Sequence, residues 1–344
     1  MTGTVEKSII DFLAKLIKYD VSGYDYKNVY EKLEKVYMNE IKYSKYVMKI
    51  TISNNEISYE NITHDNRKKD FIDLFDKTKK YLAKTNRKLS DCVIYLYVID
   101  SYNFEHQDLP FFIMARPSNK KGILIPDNTF HCHNIEHRCF NWDDTKKIVV
   151  NNCMIDNSEK INKIFFRGAN TGADKHNLRG LLAKDSINND VFDITIGSHQ
   201  IPLYEFCKYK YLLNLPGHQP WSYRFKYLFL MNSLVINIDL KQNYKSSSND
   251  TWINFFDRFF KENIDYVNII YDWYDNDNSK NEQNYLSLLQ NIIEVYERFE
   301  NDPSLYKRMV EHGHNVAMSI SQNIIYESVY MIVEEYAKKI INSN

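Results

Sequence analysis

Two loops and one strand end carry residues whose types and spacing suit anion binding and proton transfer. The first loop, FFRGANTGADKHNL, places Arg167, Gly168, Asn170 and Thr171 just before a stretch of helical spacing. Glycine lets a backbone approach an anion closely, and a helix start offers unpaired N–H groups. No GK[ST] follows and no GxGxxG occurs, so the loop is neither a P-loop nor a dinucleotide fingerprint. A plain tight turn is the competing reading. The second loop lies in KYKYLLNLPGHQPWSYRFKYLFLMNSLVINID. Here Ser222 suits a helix N-cap, with Tyr223 and Arg224 in the first turn. A phosphate at that position meets free N–H groups, the positive end of the helix dipole and a guanidinium. Lys208, Lys210 and Lys226 make the segment basic, and a surface arginine is the bland alternative for Arg224. Finally, CVIYLYVID ends at Asp100, a carboxylate placed either to take a proton as a general base or to cap the following turn. Asp108 and Asp127 are further candidate bases in the same region.

Other chemistry-bearing residues point less clearly to a site. HCHNIEHRC gathers His131, Cys132, His133, His137 and Cys139, all zinc-ligand types, but with the spacing of no zinc finger and without a partner knuckle. A histidine-rich loop beside a substrate cleft is the expectation, with no metal site assigned. Cys207 reads as a small buried apolar residue rather than a nucleophile. Asp275-Asn276-Asp277 reads as a solvated loop away from any strand end. Trp221 either lines a pocket or closes its loop.

The elements that must position these residues follow from hydrophobic periodicity. Helices are expected near 4–18, 26–40 and 66–84, and a β-hairpin turns at Asn54-Asn55. A buried parallel strand is expected over 92–100, with shorter strands at 110–115, 122–125 and 148–150. From Lys163 onward the pattern alternates: strand 163–166, helix 177–184, strand 209–215, helix 222–232, strand 234–239. Such alternation with short loops implies a parallel sheet covered on both faces. The last third is helical, near 282–300, 303–319 and 322–341.

With 344 residues, 44% of them hydrophobic and 26% charged, the chain is long enough for two domains and rich enough to bury their cores. The 44 basic residues nearly match the 45 acidic ones, for a net charge of −1, which argues against nucleic acid as a partner. Five cysteines, none in a CxxC pair, do not suggest a secreted disulfide framework. The opening MTGTVEKSIIDFLAKL reads as an amphipathic helix and no apolar run suits a transmembrane span, so the cytoplasm is the expected location.

The segment CKYKYLLNLPGHQPWSYRFKYLFLMNSLVI resembles the core signature of glycosyltransferase family 90. That family includes Rumi-like protein O-glucosyltransferases, fungal capsule xylosyltransferases and lipopolysaccharide-modifying enzymes. FFRG at 165–168 resembles a second family block, and LYVID…LPFF…ILIPDNTF a third. The resemblance covers roughly 45–270 and is strongest over 163–238. It implies an α/β fold of the GT-B kind, two Rossmann-like domains facing across a cleft. The expected division is an acceptor-side domain over 1–155, completed by the helix at 320–344, and a donor-binding domain over 156–319. It further implies inverting transfer from a UDP-sugar, UDP-glucose or UDP-xylose, to a glycan or protein hydroxyl, with no required metal or other cofactor. By resemblance, Ser222 and Arg224 lie at the diphosphate, and the FRG block carries over as Arg167 and Gly168; Tyr223, Asn170 and Thr171 join the candidate donor-binding set from the reading of the two loops themselves. Asp100 resembles the aspartate that acts as base in the Rumi-like branch. Rumi-like members carry an arginine where this chain has Asn170, so donor identity is not transferred. The runner-up is a non-catalytic nucleotide-sugar-binding protein of the same fold.

Overall fold

The computed structural model describes residues 2–40, 46–61, 66–99, 106–131, 133–135, 138–172, 175–197, 201–243 and 250–343. Two amphipathic helices, α1 (Thr2–Ser22) and α2 (Val29–Glu40), precede the hairpin β1 (Val47–Ser53) and β2 (Glu56–Glu60). Asn54 and Asn55 both adopt positive φ, 51° and 63°, the conformation a two-residue type I′ turn demands and asparagine tolerates. Then follow α3 (Asn66–Ala83), β3 (Cys92–Tyr97), β4 (Phe112–Ile113), β5 (Ala115–Pro117), β6 (Ile123–Leu124), β7 (His133–Ile135), β8 (Arg138–Phe140) and α4 (Trp142–Asn152). The first sheet has the order β2-β1-β3-β4-β6. It is mixed: β3, expected as a parallel strand, runs parallel to β4 but antiparallel to β1.

A second correction concerns 148–150. Its β-branched run suggested a strand, but the residues lie in α4. Asn141 caps that helix by accepting from the Asp144 N–H, Asp143 and Asp144 occupy its first turn, and Trp142, Thr145 and Val149 form its buried face.

The second half comprises β9 (Ile161–Gly168), α5 (Leu178–Asp185), β10 (Phe192–Ile196), β11 (Tyr209–Asn214), α6 (Phe225–Leu228), β12 (Leu234–Asn243), β13 (Trp252–Asn254), β14 (Val267–Tyr274), α7 (Asn278–Asn301), α8 (Pro303–Ser319) and α9 (Gln322–Ile341). Its sheet, β10-β9-β11-β12-β14, is parallel throughout. Strands β10 and β14 were not expected from the sequence. Since β14 ends at Tyr274, Asp275-Asn276-Asp277 does sit at a strand end, against expectation. Asp277 is there as the N-cap of α7, accepting from the Lys280 N–H at 3.0 Å.

The last helix returns to the first sheet. Arg87 forms a two-pronged ion pair with Glu327 at 2.7 and 2.8 Å, and Tyr336 donates to the Val93 carbonyl of β3 at 3.1 Å. The Trp142 indole donates to the Ile320 carbonyl at 2.8 Å, fixing α4 to the turn before α9. Strand β13 pairs antiparallel with β5, so the two halves share a small sheet. Asp20 of α1 holds both Arg116 of β5 and Arg258, which follows β13. Among the described residues, no helix is long and apolar enough to cross a membrane.

Candidate active site

In the second sheet the chain leaves β9 through α5 to β10 on one side, then returns as β11 on the other. The carboxyl ends of β9 and β11 thus flank a topological switch point, where open α/β sheets place ligands. Both sequence-derived loops meet there. Arg224 Nη1 donates to the Arg167 carbonyl at 2.8 Å, and its guanidinium lies 5.2 Å from the Phe166 ring centre and 5.7 Å from that of Phe206. Gly168 makes room for it: a Cβ at that position would fall 3.1 Å from Arg224 Nη2.

A second arginine, which the loop motifs did not flag, ties the two loops together. Buried Arg179 in the first turn of α5 donates to the carbonyls of Ala169 (2.8 Å), Leu215 (3.0 Å) and Pro216 (3.0 Å). Burial pushes its ionisation down to about 9, and the charge of Arg224 adds to the fall; burial likewise lowers that of Arg224. Among the described residues neither arginine forms an ion pair with a carboxylate. Two mutually repelling guanidinium groups at one strand-end crevice make a site that favours an anion. One signal in the sequence pointed to Arg179. A cation at a helix N-terminus opposes the dipole, so an arginine there must find compensation elsewhere.

The remaining predicted residues are distributed around this pair. The Arg167 guanidinium turns away to Asp193 (2.7 Å) and over the Phe165 ring, so Arg167 offers the loop its carbonyl. Thr171 Oγ1 is buried with no hydrogen-bond partner among the described residues, while Asn170 is exposed. Gly172 has φ +81°, and a Cβ on it would collide with His176 Nε2 at 2.5 Å. His176 Nδ1 accepts from the Leu178 N–H, which leaves its Nε2 as the donor facing the Gly217 carbonyl at 3.3 Å.

Ser222 does not cap a helix spanning 222–232. The α-helical turns begin at Phe225 and last four residues before a 3₁₀ turn at Phe229–Met231. Ser222 Oγ instead accepts from the Arg224 N–H at 3.3 Å, holding the turn that presents Arg224, and Tyr223 is exposed beside it. The dipole of so short a helix contributes little, and the arginines carry the anion chemistry.

Asp100 lies outside the described residues. Asp108 is exposed, 3.5 Å from Lys121. Asp127 is committed elsewhere. It accepts from the Thr129 N–H and hydroxyl and grips Lys226 Nζ through both oxygens, at 2.8 and 3.0 Å. This pair, 99 residues apart in sequence and almost wholly buried, pins the turn carrying Arg224 to the PDNTF segment. A carboxylate so paired is a poor acceptor for a substrate proton. Cys207 is buried, as expected. Of HCHNIEHRC, His131 is buried with Nε2 3.6 Å from Asp73, while Cys132 and His137 lie outside the described residues. No group of three potential metal ligands gathers among the described residues.

The fold and the site define a mixed α/β protein with two neighbouring arginines at the carboxyl edge of a parallel sheet. A family model for glycosyl transferase family 90 matches residues 38–340, and the chain belongs to that family. It is therefore a glycosyltransferase, an enzyme class that takes a nucleotide-sugar donor and an acceptor. No curated protein matches the chain.

Proposed function

We propose that the protein is an inverting glycosyltransferase of GT-B organisation that moves glucose or xylose from a UDP-sugar to a hydroxyl of a glycan or protein. In this reading residues 156–319 form the donor domain, and residues 1–155 with the C-terminal helix form the acceptor side. The observation that carries the reading is the Arg179/Arg224 pair at the switch point, two guanidinium groups with no carboxylate partner among the described residues. A departing UDP gains negative charge in the transition state. Fixed cationic donors aimed at that charge lower the barrier without reorganising, the part a divalent metal plays in other transferases. Thr171, Ser222 and the backbone around Gly168 complete the donor loop.

Inversion requires a base on the face of the sugar opposite UDP, taking the acceptor proton as the hydroxyl attacks C1. Asp100, which follows β3 in the first sheet, is assigned that role. The test is incubation with UDP-glucose and UDP-xylose in EDTA against a panel of hydroxyl acceptors, with the product anomer read by NMR. A β-linked product from the α-donor is expected. An α-linked product, or turnover that requires added divalent metal, would refute the mechanism.

A further inference from the structure

Beside the arginine crevice, the carboxyl ends of β11 and β12 open into a pocket of about 520 Å³, its mouth included. The turn before Arg224 forms one wall and the 251–257 segment the other. Trp221, Trp252, Asn214, Asp239, Asp257 and Tyr266 are among its lining residues.

Two of its lining residues, Asn214 and Asn237, belong to a ladder of amides. Asn214, Asn237 and Asn268 lie side by side on β11, β12 and β14. Asn214 Nδ2 donates to Asn237 Oδ1 at 2.6 Å. Asn237 Nδ2 donates to Asp239 Oδ1 and to Asn268 Oδ1, each at 2.9 Å, and Asn268 Nδ2 donates to Asp239 Oδ2 at 2.8 Å. An ionised carboxylate only accepts, so Asp239 fixes the direction of the whole chain. Asn237 must turn its N–H groups toward Asp239, and its oxygen then takes the Asn214 N–H. Asn214 is left presenting its own oxygen. That Oδ1 is buried and has no hydrogen-bond partner among the described residues, in a residue only 4% exposed. A buried unsatisfied acceptor carries a desolvation cost, which a ligand's N–H or O–H would relieve.

We propose that this pocket is a subsite for the hydroxyl groups of a sugar ring, with Asn214 Oδ1 and the Asp257 carboxyl group as its hydrogen-bonding groups and the two tryptophans as its apolar walls. The inference deepens the glycosyltransferase reading and rests on it. Asp257 holds its place by accepting from the Asn254 N–H at 2.8 Å, while the Asn254 side chain accepts from the Asp257 and Phe256 N–H groups. Burial, with the nearby charge of Asp239, pushes the Asp257 carboxyl up to about 7. Near neutral pH it therefore both donates and accepts, which matches a hydroxyl, itself donor and acceptor. An apolar wall with a few fixed polar groups is the general form of a small-molecule site.

The sugar has two sources, the donor or the acceptor, and one experiment separates them. Wild type, Asn214→Leu and Asp257→Leu, each removing the hydrogen-bonding group at similar size, are compared by calorimetric titration with UDP, UDP-glucose and UDP-xylose, and by KM for a panel of methyl glycosides as acceptors. Circular dichroism melts check folding, and Asp257→Leu carries the test if Asn214→Leu does not fold. If the pocket holds the donor sugar, UDP affinity stays and UDP-sugar affinity falls about three- to tenfold, the loss of one hydrogen bond. If it holds the acceptor sugar, all donor affinities stay and acceptor KM rises by a similar factor. UDP weakened as much as UDP-sugar would overturn the proposal, because the pocket then serves the nucleotide. So would no change in any measurement, which leaves Asn214 to a bridging water. Wild type that binds neither UDP nor any UDP-sugar would instead refute the donor reading and take the subsite with it.

Discussion

Replacing Lys226 by Met should loosen the whole donor turn without touching a ligand directly. Lys226 and Asp127 expose only 1% and 6% of their side chains, and the ammonium contacts both carboxylate oxygens and the Tyr223 carbonyl. Methionine fills the same space but strands the Asp127 charge in the interior. Removing one member of a buried ion pair costs about 3–5 kcal/mol. For a chain of this size that lowers the melting temperature by roughly 4–7 °C. Adding Asp127→Asn should recover part of the loss, since the amide oxygen still serves the Thr129 N–H and hydroxyl while no charge remains unpaired. The four members of this cycle are compared by scanning calorimetry at pH 7.5, with UDP affinity measured alongside. The single Lys226→Met variant should melt lowest, with UDP binding weakened because Arg224 lies two residues away on the loosened turn. If it melts within about 2 °C of wild type, or if the double variant is less stable than both singles, the pair does not hold the two halves as described.

Arg179→Met is expected to weaken UDP binding and to lower stability together, because it frees the carbonyls of Ala169, Leu215 and Pro216; unchanged affinity in a folded variant would remove Arg179 from the anion site. Asp257 keeps its proton up to about pH 7 when folded but only to about 4 when unfolded. Folding therefore takes up a proton between those values, and ionisation costs stability as pH rises through 7, a cost absent below about pH 4. Asp257→Asn should accordingly gain stability relative to wild type between pH 5 and pH 8, read as the difference in melting temperature; a constant difference would contradict the buried carboxyl. Asp100→Asn should keep donor affinity and lose about 10²–10⁴-fold in transfer rate. Near wild-type transfer places the base elsewhere, with Asp108 the next carboxylate to replace.

The strands that frame the site were legible because they are largely apolar runs, YLLN of β11 leading into a Gly/Pro-containing loop and LVINI of β12. The hairpin at Asn54-Asn55 was equally clear, since adjacent asparagines tolerate the positive φ that its turn requires. Strand β14 was obscured by its edge position: Asn268, Ile270 and Asp272 face outward among the buried Val267, Ile269 and Tyr271, and its end runs into an Asn/Asp-rich cap. In α4 the β-branched Ile148-Val149-Val150 masked a helix whose cap and acidic first turn were visible upstream. At the site, Arg224 and the FRG loop stood out because glycine and arginine occupy a strand-to-helix turn. The Asp127–Lys226 pair did not, because its partners are 99 residues apart and no local pattern encodes their contact. The amide ladder was hidden for a similar reason. Each asparagine looks like an isolated polar residue in its strand until the register sets the three side by side.

The most direct test of the account is titration of UDP, in EDTA, into wild type and Arg224→Ala. The crevice between β9 and β11 is held to bind the diphosphate through Arg224 and Arg179. UDP should bind wild type without metal, and Arg224→Ala should lose about 1.5–3 kcal/mol of affinity, the worth of a hydrogen bond to a charged group, while still folded. Equal UDP affinity in the two proteins would place the diphosphate elsewhere and contradict the assignment of this crevice.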